Sequence, residues 1–222
     1  WGNFWSAGAA WLISSEGFMQ NVDAVDMLKF KLSYGESGND DVGSLYPYED
    51  QYSHSYDGTS YSLALTYKGN PNLTWETKQS FNTGFDFELF HGYLNGTLDL
   101  YYQTTKDLLY NKSVPLSSGN PTAHQYVNVG KLNNKGIELS LDGNIINTKK
   151  VVWSWNANFS HNVNKILELD PSVSENGIRS GSQIIEVGGT LYDGFMRRYA
   201  GVDKETGQAL YYYDVLDEEG EV

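Results

Sequence analysis

From Ser80 to Leu89 the side chains at every second position, Phe81, Thr83, Phe85, Phe87 and Leu89, alternate with Ser80, Asn82, Gly84, Asp86 and Glu88. A period of two predicts a β-strand with one apolar and one wet face. After the turn signal His91-Gly92 the alternation resumes. Leu94, Gly96, Leu98, Leu100 and Tyr102 then stand against Tyr93, Asn95, Thr97, Asp99, Tyr101 and Gln103. A two-residue hairpin puts Leu89 opposite Leu94, Phe87 opposite Gly96, Phe85 opposite Leu98, Thr83 opposite Leu100 and Phe81 opposite Tyr102. A slip by one residue would destroy this match.

A second hairpin repeats the logic. Ile137, Leu139, Leu141, Gly143 and Ile145 precede Val151, Trp153, Trp155, Ala157 and Phe159, with Ser154, Asn156, Asn158, Ser160, Asn162 and Asn164 on the wet face. Both apolar sets are odd-numbered, so the loop through Asn147, Thr148, Lys149 and Lys150 is expected to hold an odd count, about three or five residues. Upstream, Leu28, Phe30, Leu32 and Tyr34 alternate with Lys29, Lys31, Ser33 and Gly35. Trp5, Ala7, Ala9 and Trp11 make a weaker first strand, joined through Ser14 to Asp26 by a stretch with room for one short helical turn. Long polar stretches run from Glu36 to Glu76, from Asp107 to Asn134 and after Lys165. Up-and-down order then gives six strands, with the tight turns at one end and the long loops at the other. Tyr61 to Tyr67 also alternates, and a hairpin about Asp203 to Gly207 is possible; both fall in the loops.

Alternation alone fits a soluble sheet on a core or a membrane barrel on lipid. Strands of roughly ten residues, the sorting of tight and long connections by end, and a wet face of Asn, Ser, Gly and Asp rather than Lys and Glu favour the barrel. Tyr34, Tyr101, Tyr102, Trp153 and Trp155 are candidates for its interfacial girdle, with sandwich-core aromatics as the other reading. The fold class expected is all-β, an antiparallel up-and-down transmembrane β-barrel segment with long extracellular loops. Composition agrees: 23 Gly, 17 Tyr, 9 Phe and 6 Trp suit strands and turns. The longest apolar stretch, Ala7 to Ile13, is far short of the roughly 20 residues of a membrane-spanning helix. A net charge of -13 opposes nucleic-acid binding. The absence of cysteine removes disulfides, thiolate metal sites and cysteine nucleophiles. The chain starts at Trp1 and stops in the acidic run Asp214 to Glu221; it reads as a piece of a longer protein.

Candidate chemistry is sparse, and no catalytic residue, metal ligand or cofactor is expected. Asp86 and Asp99 share the wet face as diagonal neighbours roughly 7 Å apart, but a water-filled lumen keeps both ionised and unsuited to the glycosidase role of paired carboxylates. His54, His91, His124 and His161 are spread singly, away from the spacing of a ligand pair. Gly35-Glu36-Ser37-Gly38 lacks the Lys and helix of a phosphate loop, and Asp203 to Gly207 reads as a tight turn rather than a calcium loop. The more plausible site is a surface. Tyr46, Tyr48, Tyr52 and Tyr56 are placed to stack on sugar rings or to pack against a lid, the simpler reading being loop self-packing.

Asn70-Pro71-Asn72-Leu73-Thr74-Trp75-Glu76 resembles the segment before a barrel strand in TonB-dependent outer-membrane receptors. Phe85-Asp86-Phe87-Glu88-Leu89-Phe90, Gly96-Thr97-Leu98-Asp99-Leu100-Tyr101-Tyr102 and Thr105-Lys106-Asp107-Leu108-Leu109 resemble the SusC/RagA branch. So do Trp1-Gly2-Asn3-Phe4-Trp5-Ser6, Asn128-Val129-Gly130, Asn134-Lys135-Gly136-Ile137-Glu138 and Tyr199-Ala200-Gly201-Val202-Asp203-Lys204-Glu205-Thr206-Gly207. The order of these landmarks from Trp1 to about Tyr213 makes the likeness specific. It implies one partial barrel domain over residues 1–222, in the bacterial outer membrane, with the plug and the remaining strands outside it. A barrel of about 22 strands at roughly 25 residues per strand and loop takes about 550 residues. This chain supplies under half of that. The resemblance further implies import of oligosaccharides or peptides with a SusD-like surface lipoprotein as lid and TonB acting through the plug. Lipid would then meet Phe81, Phe85, Phe87, Leu98, Leu100, Leu139, Leu141, Trp153, Trp155 and Phe159. The lumen would be bordered by Asn82, Asp86, Glu88, Thr97, Asp99, Tyr101, Asn156 and Asn158. A soluble carbohydrate-binding β-sandwich or adhesin module, and a small self-contained outer-membrane barrel, are the alternatives.

Overall fold

A computed structural model describes residues 2–171 and 177–212. The strands in chain order are β1 (Ser6–Leu12), β2 (Val25–Asn39), β3 (Gln51–Tyr56), β4 (Tyr61–Tyr67), β5 (Glu76–Leu89), β6 (Leu94–Lys106), β7 (Leu109–Ser113) and β8 (His124–Asn128). Then come β9 (Gly130–Asn147), β10 (Val152–Leu169), β11 (Ile178–Ser180), β12 (Gln183–Ile185), β13 (Asp193–Gly194), β14 (Tyr199–Val202) and β15 (Ala209–Tyr211). The six long alternating segments form a single antiparallel sheet in the order β1-β2-β5-β6-β9-β10. The remaining strands make small separate sheets in the loops. The acidic run Asp214 to Glu221 lies outside the described residues.

The β5–β6 register is the one expected from alternation, Leu89 opposite Leu94 and Phe85 opposite Leu98. His91 and Gly92 take the tight turn with φ of 62° and 78°, and their amides donate to Asp26 Oδ2 at 2.6 and 3.2 Å. That bond ties the turn to the end of β2. The β9–β10 loop departs from expectation. Four residues, Thr148 to Val151, separate the paired Asn147 and Val152, and a bulge between Trp153 and Ser154 skips Ile145 and restores the odd-to-odd pairing. A single extra residue has changed the parity that alternation was expected to impose on the loop itself. The Ser14 to Asp26 connection contains the 3₁₀ turns Ile13–Ser15 and Gly17–Met19.

The strands also run longer than roughly ten residues, reaching 18 in both β9 and β10. Glu36 to Asn39, Gly130 to Asn134 and Ile166 to Leu169 had read as loop because apolar alternation stops there. The hydrogen-bonded ladder continues through them. At the long-loop end Leu132, Asn133 and Ile166 are buried, so burial no longer alternates by face and pairing continues without the period-two signature.

The apolar residues form one face across all six strands. A single row passes Trp11, Phe30, Phe85, Leu98, Leu139 and Phe159, each paired with the next. The rings of Phe30 and Phe85 touch at a centroid distance of 5.2 Å. Among the described residues nothing covers this face: Phe85 keeps 37% of its surface exposed and Phe159 58%. The side chain of Thr83 lies on the same face and satisfies its hydroxyl on the Lys31 carbonyl at 3.1 Å. The buried aliphatic residues Val129, Leu132, Ile166, Ile178 and Ile184 lie instead at the long-loop end. There Ile166 donates to Gly189 O and accepts from Gly188 N, both at 2.9 Å, so the segment after β10 folds back against the wall. Among the described residues the sheet is open, with β1 and β10 as its edges, and has neither a second layer nor the closure of a small barrel.

Candidate functional site

The apolar face has an upper limit set by sequence. Tyr34, Phe81, Tyr102, Lys135 and Val163 form one row, and two residues further along the strands the same face carries Glu36, Gln79, Thr104, Asn133 and Lys165. Gln79 Nε2 donates to Glu36 Oε1 at 2.7 Å, and the Tyr34 hydroxyl donates to the same oxygen at 3.1 Å. The lower limit lies near the row Leu89, Leu94, Gly143 and Trp155. Eight residues of strand at roughly 3.3 Å each span about 27 Å. Tilted by about 40°, that rises about 21 Å, somewhat under the apolar band of roughly 25 Å on an outer-membrane barrel.

Of the girdle candidates, Tyr34 and Tyr102 sit at the upper limit and Trp153 and Trp155 near the lower. Tyr101 does not belong with them. It pairs with Asn82 and Gly136 on the polar face, and its ring fills the space over Gly136. Strand parity had placed it there; aromatic character alone had suggested the girdle.

The polar face gathers Asn82, Asp86, Glu88, Thr97, Asp99, Tyr101, Asn156 and Asn158, as parity requires. Ser140 Oγ donates to Asn158 Oδ1 at 2.7 Å across β9 and β10. A hollow of about 570 Å³ opens on this face, lined by Asn82, Asp99, Tyr101, Gln103, Glu138 and Asn162. Beside its Asn, Ser, Gly and Asp residues the polar face carries more Lys and Glu than expected. Lys31 Nζ contacts Asp86 at 2.5 Å and Asp99 at 3.2 Å, and Lys29 reaches Asp86 at 3.4 Å. Glu138 stands beside Asp99 in the next strand. The diagonal carboxylates are thus joined by one ammonium. Lys29 and Lys31 were missed as partners because the β2–β5 register crosses a long loop that no local rule bridges.

Above the wall the two long loops are fastened into one platform. Asn128 Nδ2 donates to Thr74 O at 3.0 Å and Asp107 O at 2.7 Å, while its Oδ1 accepts from Thr74 N at 2.9 Å. Asn70 Nδ2 donates to Tyr126 O at 3.0 Å, and Lys68 Nζ to Ser118 O at 3.0 Å. The four loop tyrosines separate into two groups. Tyr46 and Tyr48 meet edge to face at 6.4 Å, and Tyr48 borders a recess of about 370 Å³ with Asp41, Trp75 and Leu109. Tyr52 and Tyr56 share one face of the β3–β4 hairpin, opposite Leu65 and Tyr61. Tyr56 stacks on Tyr61 at 4.6 Å and donates its hydroxyl to Gly58 O at 2.8 Å, so this residue packs within its own loop.

An uncovered apolar face, a polar face opposite, and connections sorted by end are the attributes of a barrel wall. The family model for "TonB dependent receptor-like, beta-barrel" matches residues 1–213. The chain belongs to the TonB-dependent receptor family. This receptor segment is 33% identical over 202 residues to a TonB-dependent receptor of Formosa agariphila, covering 91% of the chain and 19% of that protein. It is 32% identical over 176 residues to the TonB-dependent receptor SusC of Bacteroides thetaiotaomicron, covering 76% of the chain and 17% of SusC. The solved structure of the RagAB peptide importer in its closed-closed state superposes with a TM-score of 0.84 at 31% identity, over 98% of this chain and 24% of that one. The receptor segment is therefore SusC/RagA-like and of the outer membrane. It spans about a fifth of the curated relatives it matches.

Proposed function

We propose that this segment forms part of the barrel wall and extracellular loops of a TonB-dependent importer of oligosaccharides or peptides. The single observation that supports it most is the apolar row from Trp11 to Phe159, continuous over six strands, uncovered, and bounded above by Glu36, Gln79 and Lys165. Leaving such a row in water is unfavourable by roughly 25 cal/mol per Å² of apolar surface; hydrocarbon removes that penalty. In this reading Phe81, Phe85, Phe87, Leu98, Leu100, Leu139, Leu141, Trp153, Trp155 and Phe159 meet lipid. Asn82, Asp86, Glu88, Thr97, Asp99, Tyr101, Asn156 and Asn158 border the lumen.

The SusC/RagA likeness supports a whole receptor with a barrel of about 22 strands, a plug through which TonB delivers energy, and a SusD-like surface lipoprotein as lid. Peptide cargo is the named cargo of the RagAB importer; here oligosaccharide and peptide both remain within the reading. Tyr46, Tyr48, Tyr52 and Tyr56 all keep exposed ring surface for substrate or lid.

Single cysteines at Phe85, Leu98, Thr97 and Asp99 of the full-length receptor test the orientation. A lipid-soluble maleimide is expected to label positions 85 and 98 in intact outer membranes, and a water-soluble one positions 97 and 99. Equal aqueous labelling at 97 and 98 in folded receptor would sink the wall assignment. Uptake of labelled glycan or peptide that is the same with and without TonB would sink the importer.

A further inference from the structure

The apolar face continues upward for three rows beyond Leu100 and Ile137, and the charge of those rows differs from one side of the sheet to the other. On β6, β9 and β10 they hold Tyr102, Lys135 and Val163, then Thr104, Asn133 and Lys165, then Lys106, Lys131 and Glu168. On β2 and β5 the same rows hold Tyr34 and Phe81, Glu36 and Gln79, Gly38 and Thr77. One side thus gathers four lysines with Glu168, while the other carries Glu36. Lys106 and Lys131 stand directly opposite each other, an unfavourable placement for like charges; Lys131 Nζ reaches Glu168 Oε1 at 4.0 Å. Lys135 and Lys165 are exposed. They are diagonal neighbours, since Lys135 pairs with Val163 and Lys165 with Asn133, and their stems start roughly 7 Å apart.

A lysine that only lifts its head out of hydrocarbon needs no ligand, and lysines of that kind would be spread along the whole rim. Here they are confined to one side, at the height where the apolar band ends, in a chain of net charge -13. Directly beneath them Leu98, Leu100, Leu139 and Phe159 present apolar surface. His161, in the row of Leu100 and Ile137, places an imidazole one row inside that edge. The long loops of an outer-membrane barrel are its extracellular ones, so this corner lies at the head-group level of the outer leaflet.

We propose that Lys135 and Lys165, supported by Lys106, seat the phosphate of a phosphorylated glycolipid of the outer leaflet, its acyl chains lying along Leu98, Leu100, Leu139 and Phe159. This rests on the wall reading and adds a specific lipid to it. Ammonium groups hold phosphate oxygens through charge-assisted hydrogen bonds, and basic pockets at the edge of a membrane span select anionic head groups. The His161 imidazole is placed to hydrogen-bond the polar linkage between head group and chains. A zwitterionic phospholipid brings its own cation against the lysines, and a free phosphate leaves the apolar rows without a partner. An anionic lipid satisfies both surfaces at once.

The test is native mass spectrometry of the full-length receptor, washed free of lipid in mild detergent and then mixed with phosphorylated lipid A, phosphatase-treated lipid A or phosphatidylethanolamine. The expected result is an adduct with phosphorylated lipid A that is at least tenfold weaker with the other two lipids and in the K135Q/K165Q double variant. K135R/K165R is expected to restore it. K149Q/K150Q, which removes the same charge from the exposed tight turn at the opposite end, is expected to leave it intact. Heat-modifiable migration checks that each variant is folded. Equal binding of phosphatase-treated lipid A, an unchanged adduct in K135Q/K165Q, an equal loss in K149Q/K150Q, or displacement by an equal concentration of inorganic phosphate overturns the proposal. The cysteine at Leu98 separates the two readings. Lipid-soluble labelling there without an adduct sinks the lipid seat alone, and aqueous labelling there sinks the wall reading itself.

Discussion

The Lys31 ammonium stands 3.2 Å from the Asp99 carboxylate, although β5 lies between their strands. Gly84, paired with both residues, makes this possible by having no side chain. A Cβ there would collide with the Asp99 carboxylate and the Leu98 carbonyl. Lys31, Asp86 and Asp99 are part-exposed, so each ion pair contributes at most about 1 kcal/mol, whereas overpacking costs about 1–3 kcal/mol. Gly84→Val is therefore expected to lower the urea midpoint of the folded receptor more than Lys31→Met does, by gel-shift titration. Equal midpoints would show that the gap over Gly84 does not matter.

Neighbouring residues on β6 make the sharpest contrast in the wall. Leu98→Arg places a cation in the apolar row and is expected to cost about 2–4 kcal/mol near the bilayer midplane. Thr97→Arg, one residue away on the polar face, is expected to cost less than 1 kcal/mol. Assembly yield and urea stability of the full-length receptor measure both.

The Asn128 side chain holds the two long loops together through two bonds to the Thr74 backbone and adds one to Asp107 O within its own loop. Asn128→Ala strands those groups at about 1 kcal/mol each where water does not replace the bond. Trypsin is then expected to cut after Lys68 or Lys112 several times faster than in the parent receptor. An unchanged cleavage rate would mean the platform is held elsewhere.

At the tip of the β3–β4 hairpin, Asp57 Oδ1 accepts from Thr59 N and Ser60 N, each at 2.8 Å. Those amides, Ser60 first, hold its carboxyl below the usual value of 3.8. A depressed folded pKa means that the turn has its full support above the unfolded value and loses it as pH falls through the folded one. Amide protection at Thr59 and Ser60 should persist at pH 5 and fade only in stronger acid. In Asp57→Ala it should be weak at both.

Alternating side chains and a two-residue turn were enough to set the faces and the β5–β6 pairing, because a strand's period of two and a short loop leave one register that buries or exposes consistently. Parity likewise assigned Tyr101 to the polar face. What only the tertiary structure decided was everything carried across long connections or lost where burial no longer alternates by face, as at Leu132 and Asn133. Lys29 and Lys31 meet Asp86 through a register that spans residues 40–75. Gly130 to Asn134 stay in strand without any apolar rhythm. One bulge near Trp153 absorbs the loop's extra residue. Arg198 meets the Tyr212 ring only once the β14–β15 hairpin closes, and Arg179 meets Phe195 only once Phe195 N donates to Ser182 O. Local alternation encodes which way a side chain points; it carries no information about which distant strand arrives beside it, because loop closure is settled by the pairing energy of the whole sheet.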